Sequence, residues 1–150
     1  MGIFKKLQEK SMTAIELSNE AVLLMGQARD LETAGRYLEK ALALEPNNPH
    51  VLSNFGAWLL KIGRHKEALE CFFKSVNVDK QNVSAMYSIG FILQESENFQ
   101  QALEYLTKAV ELDPKLDPGW FYKAKCLRKL GRNLEAAECD AQVARLRAAR

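Results

Sequence analysis

The chain has 150 residues, of which 47% are hydrophobic and 27% are charged, and its formal net charge at pH 7 is +2. This length suits a single globular domain, and so small a net charge argues against general binding to polyanions. No apolar run approaches the roughly 20 residues that a membrane span requires, and the N-terminus lacks an apolar core of signal-peptide length.

The three cysteines, Cys71, Cys126 and Cys139, are odd in number and show no C-x-x-C spacing. This argues against a disulfide framework or a zinc site, so we expect a reducing, cytoplasmic environment and no metal. The abundance of Leu, Ala and Glu over β-branched residues predicts an all-α fold, because the former are good helix formers.

The N-terminal extension, residues 1–14, combines a small apolar face with basic residues. The apolar residues are Ile3, Phe4 and Leu7, and the basic residues are Lys5, Lys6 and Lys10. One short basic segment is insufficient for stable membrane anchoring. We therefore expect these residues to cover the edge of the structure that follows or to be flexible.

From residue 15 onward the chain repeats itself with a period of 34 residues. One column is all alanine, one is mostly small, and two are apolar. The columns are Ala34, Ala68, Ala102, Ala136; Val22, Gly56, Gly90, Ala124; Met25, Leu59, Leu93, Leu127; and Leu44, Val78, Leu112, Leu146. Self-similarity at such a period predicts an array of structural repeats.

Within each period the apolar residues follow helical spacing, as Leu52, Phe55 and Leu59 do in the second repeat. Gly63 then separates this set from a second helical set, as a turn between antiparallel helices requires. Each repeat is therefore predicted to be helix, turn, helix, with helices of about 13 residues. Such a hairpin cannot cover its own apolar face, so neighbouring hairpins must stack.

Capping residues fall where the period predicts helix starts. They are Thr13 with Glu16 as a capping box, Asn48 before Pro49, Asp117 before Pro118, Asn82, and Asn98 with Gln101. Independent local signals thus agree with the repeat.

These residues resemble a known family. The segments Ala41–Asn48, Gly63–Phe72 and Ala102–Pro114 resemble the tetratricopeptide repeat (TPR), and the resemblance covers four repeats at 15–48, 49–82, 83–116 and 117–150. It implies a right-handed α-solenoid of about eight helices, whose concave groove, lined by the first helix of each pair, binds a peptide segment.

The sequence departs from the family pattern at several positions. Ser18 replaces a bulky residue, Gly35 lies inside a helix, and Lys123 stands where an apolar residue is usual. Asp140 replaces the bulky apolar residue of the other repeats. We interpret it as part of a polar surface that caps the last repeat.

No catalytic or cofactor motif is present. His50 and His65 have no nucleophile or carboxylate partner at a recurring spacing, and no glycine-rich phosphate-binding motif occurs. We therefore predict a protein that is not an enzyme and uses no cofactor or small-molecule substrate.

The resemblance implies that positions 2, 5, 9, 12 and 13 of each repeat face the groove. These positions are Glu16, Asn19, Leu23, Gly26, Gln27; His50, Ser53, Ala57, Leu60, Lys61; Ser84, Tyr87, Phe91, Gln94, Glu95; and Pro118, Phe121, Lys125, Arg128, Lys129.

The predicted peptide-binding residues are the aromatic and basic members of this set with a few polar neighbours. They are Tyr87, Phe91, Gln94, Phe121, Lys125, Arg128, Lys129, Asn54 and Lys61. Residues 119–150 hold eight basic and three acidic side chains, a local net charge of +5. Aromatic anchors beside cations favour a partner segment that carries apolar and acidic residues.

Three other functions compete with this adaptor role. Clamping the C-terminal carboxylate of heat-shock chaperones is rejected, because Ser53, Ala57 and Pro118 stand where that clamp has polar and basic residues. A self-assembling structural protein remains an alternative. Nucleic-acid binding through the basic fourth repeat is disfavoured, because no base-reading element is evident.

Overall fold

The computed structural model describes residues 2–3 and 11–150. Ile3 is exposed, and residues 4–10, which carry most of the expectation for the N-terminal extension, lie outside the described residues. The chain divides into two compact units, Met1–Lys80 and Gln81–Arg150.

Each unit consists of two helix pairs, and residues 14–148 contain no strand. The helices of the first unit are α1 (Ala14–Leu23), α2 (Leu31–Leu44), α3 (Pro49–Lys61) and α4 (His65–Val78). Those of the second unit are α5 (Val83–Glu95), α6 (Phe99–Leu112), α7 (Asp117–Lys129) and α8 (Asn133–Ala148). The expected all-α arrangement of helix-turn-helix repeats is confirmed.

The turn inside each helix pair contains one residue in the left-handed region. Its φ is 51° at Arg29, 82° at Gly63, 61° at Glu97 and 77° at Gly131. These four residues are spaced by one period, so the same backbone conformation closes every hairpin. Gly63 therefore makes the predicted turn.

Three of the predicted helix caps are confirmed. Thr13 and Glu16 form a capping box, in which the Glu16 backbone N–H donates to Thr13 Oγ1 at 3.2 Å. Asn48 Oδ1 accepts from the His50 N–H at 2.9 Å, and Asn82 Oδ1 accepts from the Ala85 N–H at 3.0 Å. Each bond satisfies an otherwise unpaired donor of a first turn.

One other predicted cap is wrong, and another occupies the predicted position without bonding to the backbone. Asp117 is the first residue of α7 rather than its cap, and its buried carboxylate accepts from Arg147 at 3.2 Å and pairs with Arg150. Asn98 occupies the cap position of α6, but its side chain donates to Gln101 rather than accepting from the backbone. In both cases the predicted capping side chain pairs with another side chain instead of with the backbone N–H groups of the first turn.

The first repeat holds one extra residue. The chain runs 16 residues from the Thr13 cap to Arg29, but 15 from the Asn48 cap to Gly63. A π-helical segment, Leu24–Ala28, accommodates the insertion at the end of α1. A π-bulge is the usual way for a helix to absorb one residue.

This insertion corrects the repeat columns predicted for α1. Ala21 is fully buried and takes the small-residue place of Gly56 and Gly90, whereas Val22 is 42% exposed. Buried Leu17, not Ser18, corresponds to Leu52, so the apparent departure at Ser18 disappears.

Gly35 is explained by the indole of Trp58. A Cβ at Gly35 would lie 2.4 Å from the Trp58 ring, and Trp58 Nε1 donates to the Leu31 carbonyl at 2.7 Å. The absent side chain thus lets α2 and α3 pack closely. In the second unit, Gly90 plays a similar part, because a Cβ there would lie 2.5 Å from Leu106 Cγ.

Candidate functional site

Four aromatic rings meet where α5 and α7 lie side by side in the second unit. The Tyr122 ring centroid is 5.2 Å from that of Phe91, 5.2 Å from that of Phe121 and 6.1 Å from that of Tyr87. The Phe91 and Phe121 rings meet Tyr122 edge to face, the arrangement that the ring quadrupoles favour. We call these four residues, with Gln94 and Lys125, the aromatic face.

The aromatic face is only partly covered by the protein itself. Phe121 is 41% exposed, and Tyr87, Phe91 and Tyr122 are half-buried. Burial, and to a lesser extent Tyr122 and Asp117, raises the pKa of the Tyr87 phenol. At neutral pH Tyr87 is therefore protonated, and its hydroxyl is available as a hydrogen-bond donor beside the apolar rings.

A cation lies directly beside these rings. Lys125 Nζ is 5.3 Å from the Tyr122 centroid and 3.5 Å from Oε1 of the buried Gln94 side chain. One turn later on α7, Lys129 Nζ lies 6.0 Å from the Phe99 centroid, and the side chain is exposed. The structure thus brings together five predicted residues: Tyr87, Phe91, Gln94, Phe121 and Lys125.

Arg128 differs from the basic wall predicted with Lys125 and Lys129. Its guanidinium forms an ion pair with Asp140 of α8. Arg128 thus already pairs with a carboxylate, in an exposed ion pair of the kind that contributes little to stability, and Lys125 and Lys129 lie near it on α7.

The two predicted residues of the first unit lie on α3, which also carries the stacked rings of Phe55 and Trp58. Asn54 is half-buried, and its Nδ2 donates to Ser18 Oγ of α1 at 2.8 Å. Lys61 is exposed at the end of α3. A hydrogen bond between polar side chains thus links α1 and α3, whereas aromatic rings meet between α5 and α7 in the second unit.

Tyr122 is the member of the aromatic face that sequence reasoning missed. The family positions selected residues 121 and 125 of α7 and passed over residue 122. A signal was present, since Tyr122 follows Phe121 directly and lies three residues before Lys125, within one turn of both.

Burial raises the pKa of the Cys71 and Cys139 thiols, and it raises the pKa of Cys126 to about 11. These thiols stay protonated and weakly nucleophilic at neutral pH. In residues 2–3 and 11–150, no cluster of three or more His, Cys, Asp or Glu suits a metal ion.

Within the same described ranges, every helix is too short or too polar to pass through a lipid bilayer.

Two curated relatives of this chain are longer proteins that share a part with it. Protein NPGR1 of Arabidopsis thaliana is 30% identical over 116 residues, which make up 76% of this chain and 16% of that protein. Small glutamine-rich tetratricopeptide repeat-containing protein 2 of Mycosarcoma maydis is 33% identical over 87 residues, 58% of this chain and 25% of that protein. The chain thus spans at most a quarter of the length of these two relatives.

Solved TPR structures share the fold. The chain resembles YrrB, a TPR protein described as having an unusual peptide-binding site, with 29% identity and a TM-score of 0.79 over 97% of this chain and 75% of YrrB. A MamA crystal structure gives a TM-score of 0.82 at 14% identity, over 97% and 85% of the two chains. The expected TPR solenoid class is confirmed, and such proteins are generally non-catalytic and mediate protein–protein interactions.

The family itself follows from residues 15–147, which match the model of the Cilia and flagella-associated protein 70 middle TPR-like domain. This match includes all eight helices except the last residue of α8 and Ala14 at the start of α1. The chain therefore belongs to this TPR-like domain family.

Proposed function

We propose that this chain is a non-catalytic adaptor that binds a peptide segment of a partner protein on the aromatic face. The observation that carries the proposal is the contact of three aromatic rings and one lysine with Tyr122, on a surface that remains partly exposed. Rigid aromatic side chains supply large contact area at little entropic cost, which is why they dominate interface hot spots.

The chemistry of the face defines the partner segment. Its rings favour apolar side chains, while Lys125 and Lys129 favour acidic ones. The likeness to YrrB supports a peptide as the ligand, since that protein is described by its peptide-binding site. The contacts between α5 and α7 hold the rings in place before the partner arrives, which lowers the ordering cost of binding.

A peptide library displayed on phage tests this proposal. Selection on the wild-type chain is expected to enrich segments that combine apolar residues with Asp or Glu. The Phe91→Ala/Phe121→Ala double variant, checked for helical content by circular dichroism, should lose most of this enrichment. The matched control is Leu112→Ala, because Leu112 is a similarly exposed residue (45%) at the end of α6.

Charge reversal tests the acidic preference separately. Lys125→Glu should abolish selection of acidic peptides while apolar ones persist. Lys115→Glu, in the exposed turn before α7, should leave the selection unchanged. Equal enrichment by the wild type and the folded double variant would overturn the assignment of the aromatic face.

A further inference from the structure

We propose that a groove in the first unit binds a basic side chain, lysine or arginine, on an aliphatic segment of a partner protein. The groove has a volume of about 460 Å³ and is lined by α2, the turn that follows it, α3 and α4. We call it the first groove. It is distinct from the aromatic face that the proposed function concerns, its partner has the opposite charge, and either proposal can fail without the other.

The lining of the first groove combines apolar and acidic side chains. On α3, Leu52 and Leu59 are buried and Phe55 is half-buried. On α4, Glu67 and Glu70 are exposed. A concave surface that is largely apolar and carries a few charged groups is the usual composition of a binding site.

A corresponding groove in the second unit indicates which chemical group suits this place. Every residue that lines this second groove follows a residue of the first groove by two periods. Lys123 takes the place of Phe55, whereas Glu138 repeats Glu70. The second groove is also smaller, with a volume of about 240 Å³. It therefore holds a lysine of its own where the first groove has a phenyl ring.

The surroundings of Lys123 attract a cation. Its Nζ lies 5.1 Å from the ring centroid of Trp120. Hydrogen bonding to Arg132, with added attraction from Arg132 and Lys123, lowers the pKa of Glu135. The lysine in the second groove thus interacts with both an aromatic ring and a carboxylate. This accounts for a lysine at a position where the family pattern has an apolar residue.

The carboxylates of the second groove are repeated in the first. Arg64 pairs with Glu67, as Arg132 pairs with Glu135 two periods later. Within residues 2–3 and 11–150, no basic side chain forms an ion pair with exposed Glu70. Glu70 is therefore available to a basic side chain that a partner supplies.

Phe55 supplies the aromatic surface of the first groove. Its ring stacks on that of Trp58, with the centroids 5.5 Å apart and the planes at 27°. Trp58 Nε1 in turn donates to the Leu31 carbonyl at 2.7 Å, so the pair of rings is held in place. A ring beside carboxylates favours a cation, and the methylene groups of lysine or arginine pack against apolar surface. Aliphatic neighbours in the partner segment match the leucines of the groove.

Fluorescence anisotropy of the full chain with synthetic fluorescein-labelled peptides tests the proposal. The probe peptide has lysines between leucines, and the comparison peptide has glutamines in place of the lysines. We expect the lysine peptide to bind the wild type about tenfold more tightly than the glutamine peptide does. Equal affinities for the two peptides would overturn the proposal.

Variants of the groove separate the contributing residues. Phe55→Lys supplies the lysine that the second groove already has, and it should weaken binding of the lysine peptide about tenfold. Glu70→Gln should also weaken binding, whereas Lys74→Gln should strengthen it, because Lys74 is a like charge that lines the groove. The matched controls, Val22→Lys and Glu20→Gln, change exposed residues of α1 and should bind as the wild type does.

The last two groove variants keep the test valid if Phe55→Lys fails to fold, since circular dichroism will identify that failure and Glu70 and Lys74 are exposed. Methyl NMR then locates the bound peptide, and shifts of the Leu52 and Leu59 signals would support the proposal. Shifts confined to the aromatic face, or an affinity that neither Glu70→Gln nor Lys74→Gln changes, would overturn it. Neither result decides whether the aromatic face binds acidic peptides, which the phage selection tests.

Discussion

Glu97 adopts a backbone conformation that glycine occupies in the equivalent turns at Gly63 and Gly131. A left-handed φ costs a residue with a Cβ about 1–2 kcal/mol relative to the right-handed region, whereas glycine adopts it freely. Arg29 carries the same cost in the first turn. Two of the four hairpins are therefore closed by residues that are not ideal for their backbone.

We expect Glu97→Gly to raise the free energy of unfolding by about 0.5–1 kcal/mol, because it relieves this conformation. Urea denaturation measures the change. Glu104→Gly is the control, since Glu104 is an exposed residue in the interior of α6. It should lower stability by about 1 kcal/mol. Similar losses from both substitutions would contradict the left-handed turn.

The pKa of Asp117 provides a second prediction at the residue scale. Hydrogen bonding to Arg147, with added attraction from Arg147 and Arg150, lowers the pKa of this carboxyl below its usual value. Its ionised form therefore stabilises the folded chain above the pKa of the unfolded state, about 3.9. This stabilisation is lost as the pH falls through the lower folded-state pKa.

Carboxyl NMR titration checks the effect. In Arg147→Gln, the pKa of Asp117 should move back toward its usual value, and the dependence of stability on acid pH should become weaker. Arg145→Gln is the control, because Arg145 is an exposed cation on the same helix. If the pKa of Asp117 is the same in both variants as in the wild type, the ion pairs do not form in solution.

At the scale of secondary-structure elements, the inserted residue predicts that α1 tolerates the deletion of one residue. Deleting Leu23, an exposed residue next to the π-helical segment, restores the 15-residue interval from cap to turn seen in the other repeats. We expect this deletion to change the free energy of unfolding by less than about 1 kcal/mol, because a regular helix has better hydrogen-bond geometry than a π-bulge.

Deleting Ala57 from α3 is the matched comparison. This helix has no extra residue, so the deletion rotates its buried side chains away from the core, and we expect a loss of about 3 kcal/mol or more. Urea denaturation of the two deletion variants decides the point. A greater loss from the Leu23 deletion than from the Ala57 deletion would show that α1 contains no insertion.

Most helices were predictable because their apolar periodicity and caps agree. The insertion in α1 was not predictable. The repeat columns that begin at Met25, Ala34 and Leu44 lie C-terminal to it and keep the 34-residue period. The spacing of the caps does indicate the insertion, because Thr13 and Asn48 are 35 residues apart, while Asn48 and Asn82 are 34 apart. The Arg147 and Arg150 partners of Asp117 depend on tertiary packing, which a local cap motif does not report.

At the scale of the whole molecule, the charge of Asp140 affects whether copies of the chain associate through α8. Its counterparts in the other repeats, Leu38, Phe72 and Leu106, are almost completely buried, whereas Asp140 is exposed and paired with Arg128. The predicted polar surface on α8 thus includes this ion pair at the position where the other repeats place a core residue. Charged residues at such a position oppose stacking of another apolar surface.

Replacing Asp140 with leucine should therefore make the chain associate. We expect light scattering across a dilution series to give a higher average mass for Asp140→Leu than for the wild type. Glu138→Leu is the control, as it adds the same side chain to the exposed surface of α8 outside this column. Equal masses for Asp140→Leu and the wild type would show that the ion pair does not limit association.

The candidate site was predictable in part, for a physical reason. Family positions identified five residues of the aromatic face, because helix geometry fixes which side of α5 and α7 they occupy. Arg128 occupies another of these positions, and its long side chain reaches Asp140 on a different helix. Helical register fixes the direction in which a Cβ points. The charged end of a long flexible side chain, in contrast, can pair with an opposite charge on another helix.

The two tryptophans of the chain, Trp58 and Trp120, lie in different units, and each indole N–H donates to a backbone carbonyl, of Leu31 and Pro114 respectively. Intrinsic emission from a variant that retains one indole will thus report the melting of one half of the molecule without an added label. Comparing the two melting curves will reveal whether the halves unfold cooperatively or in sequence.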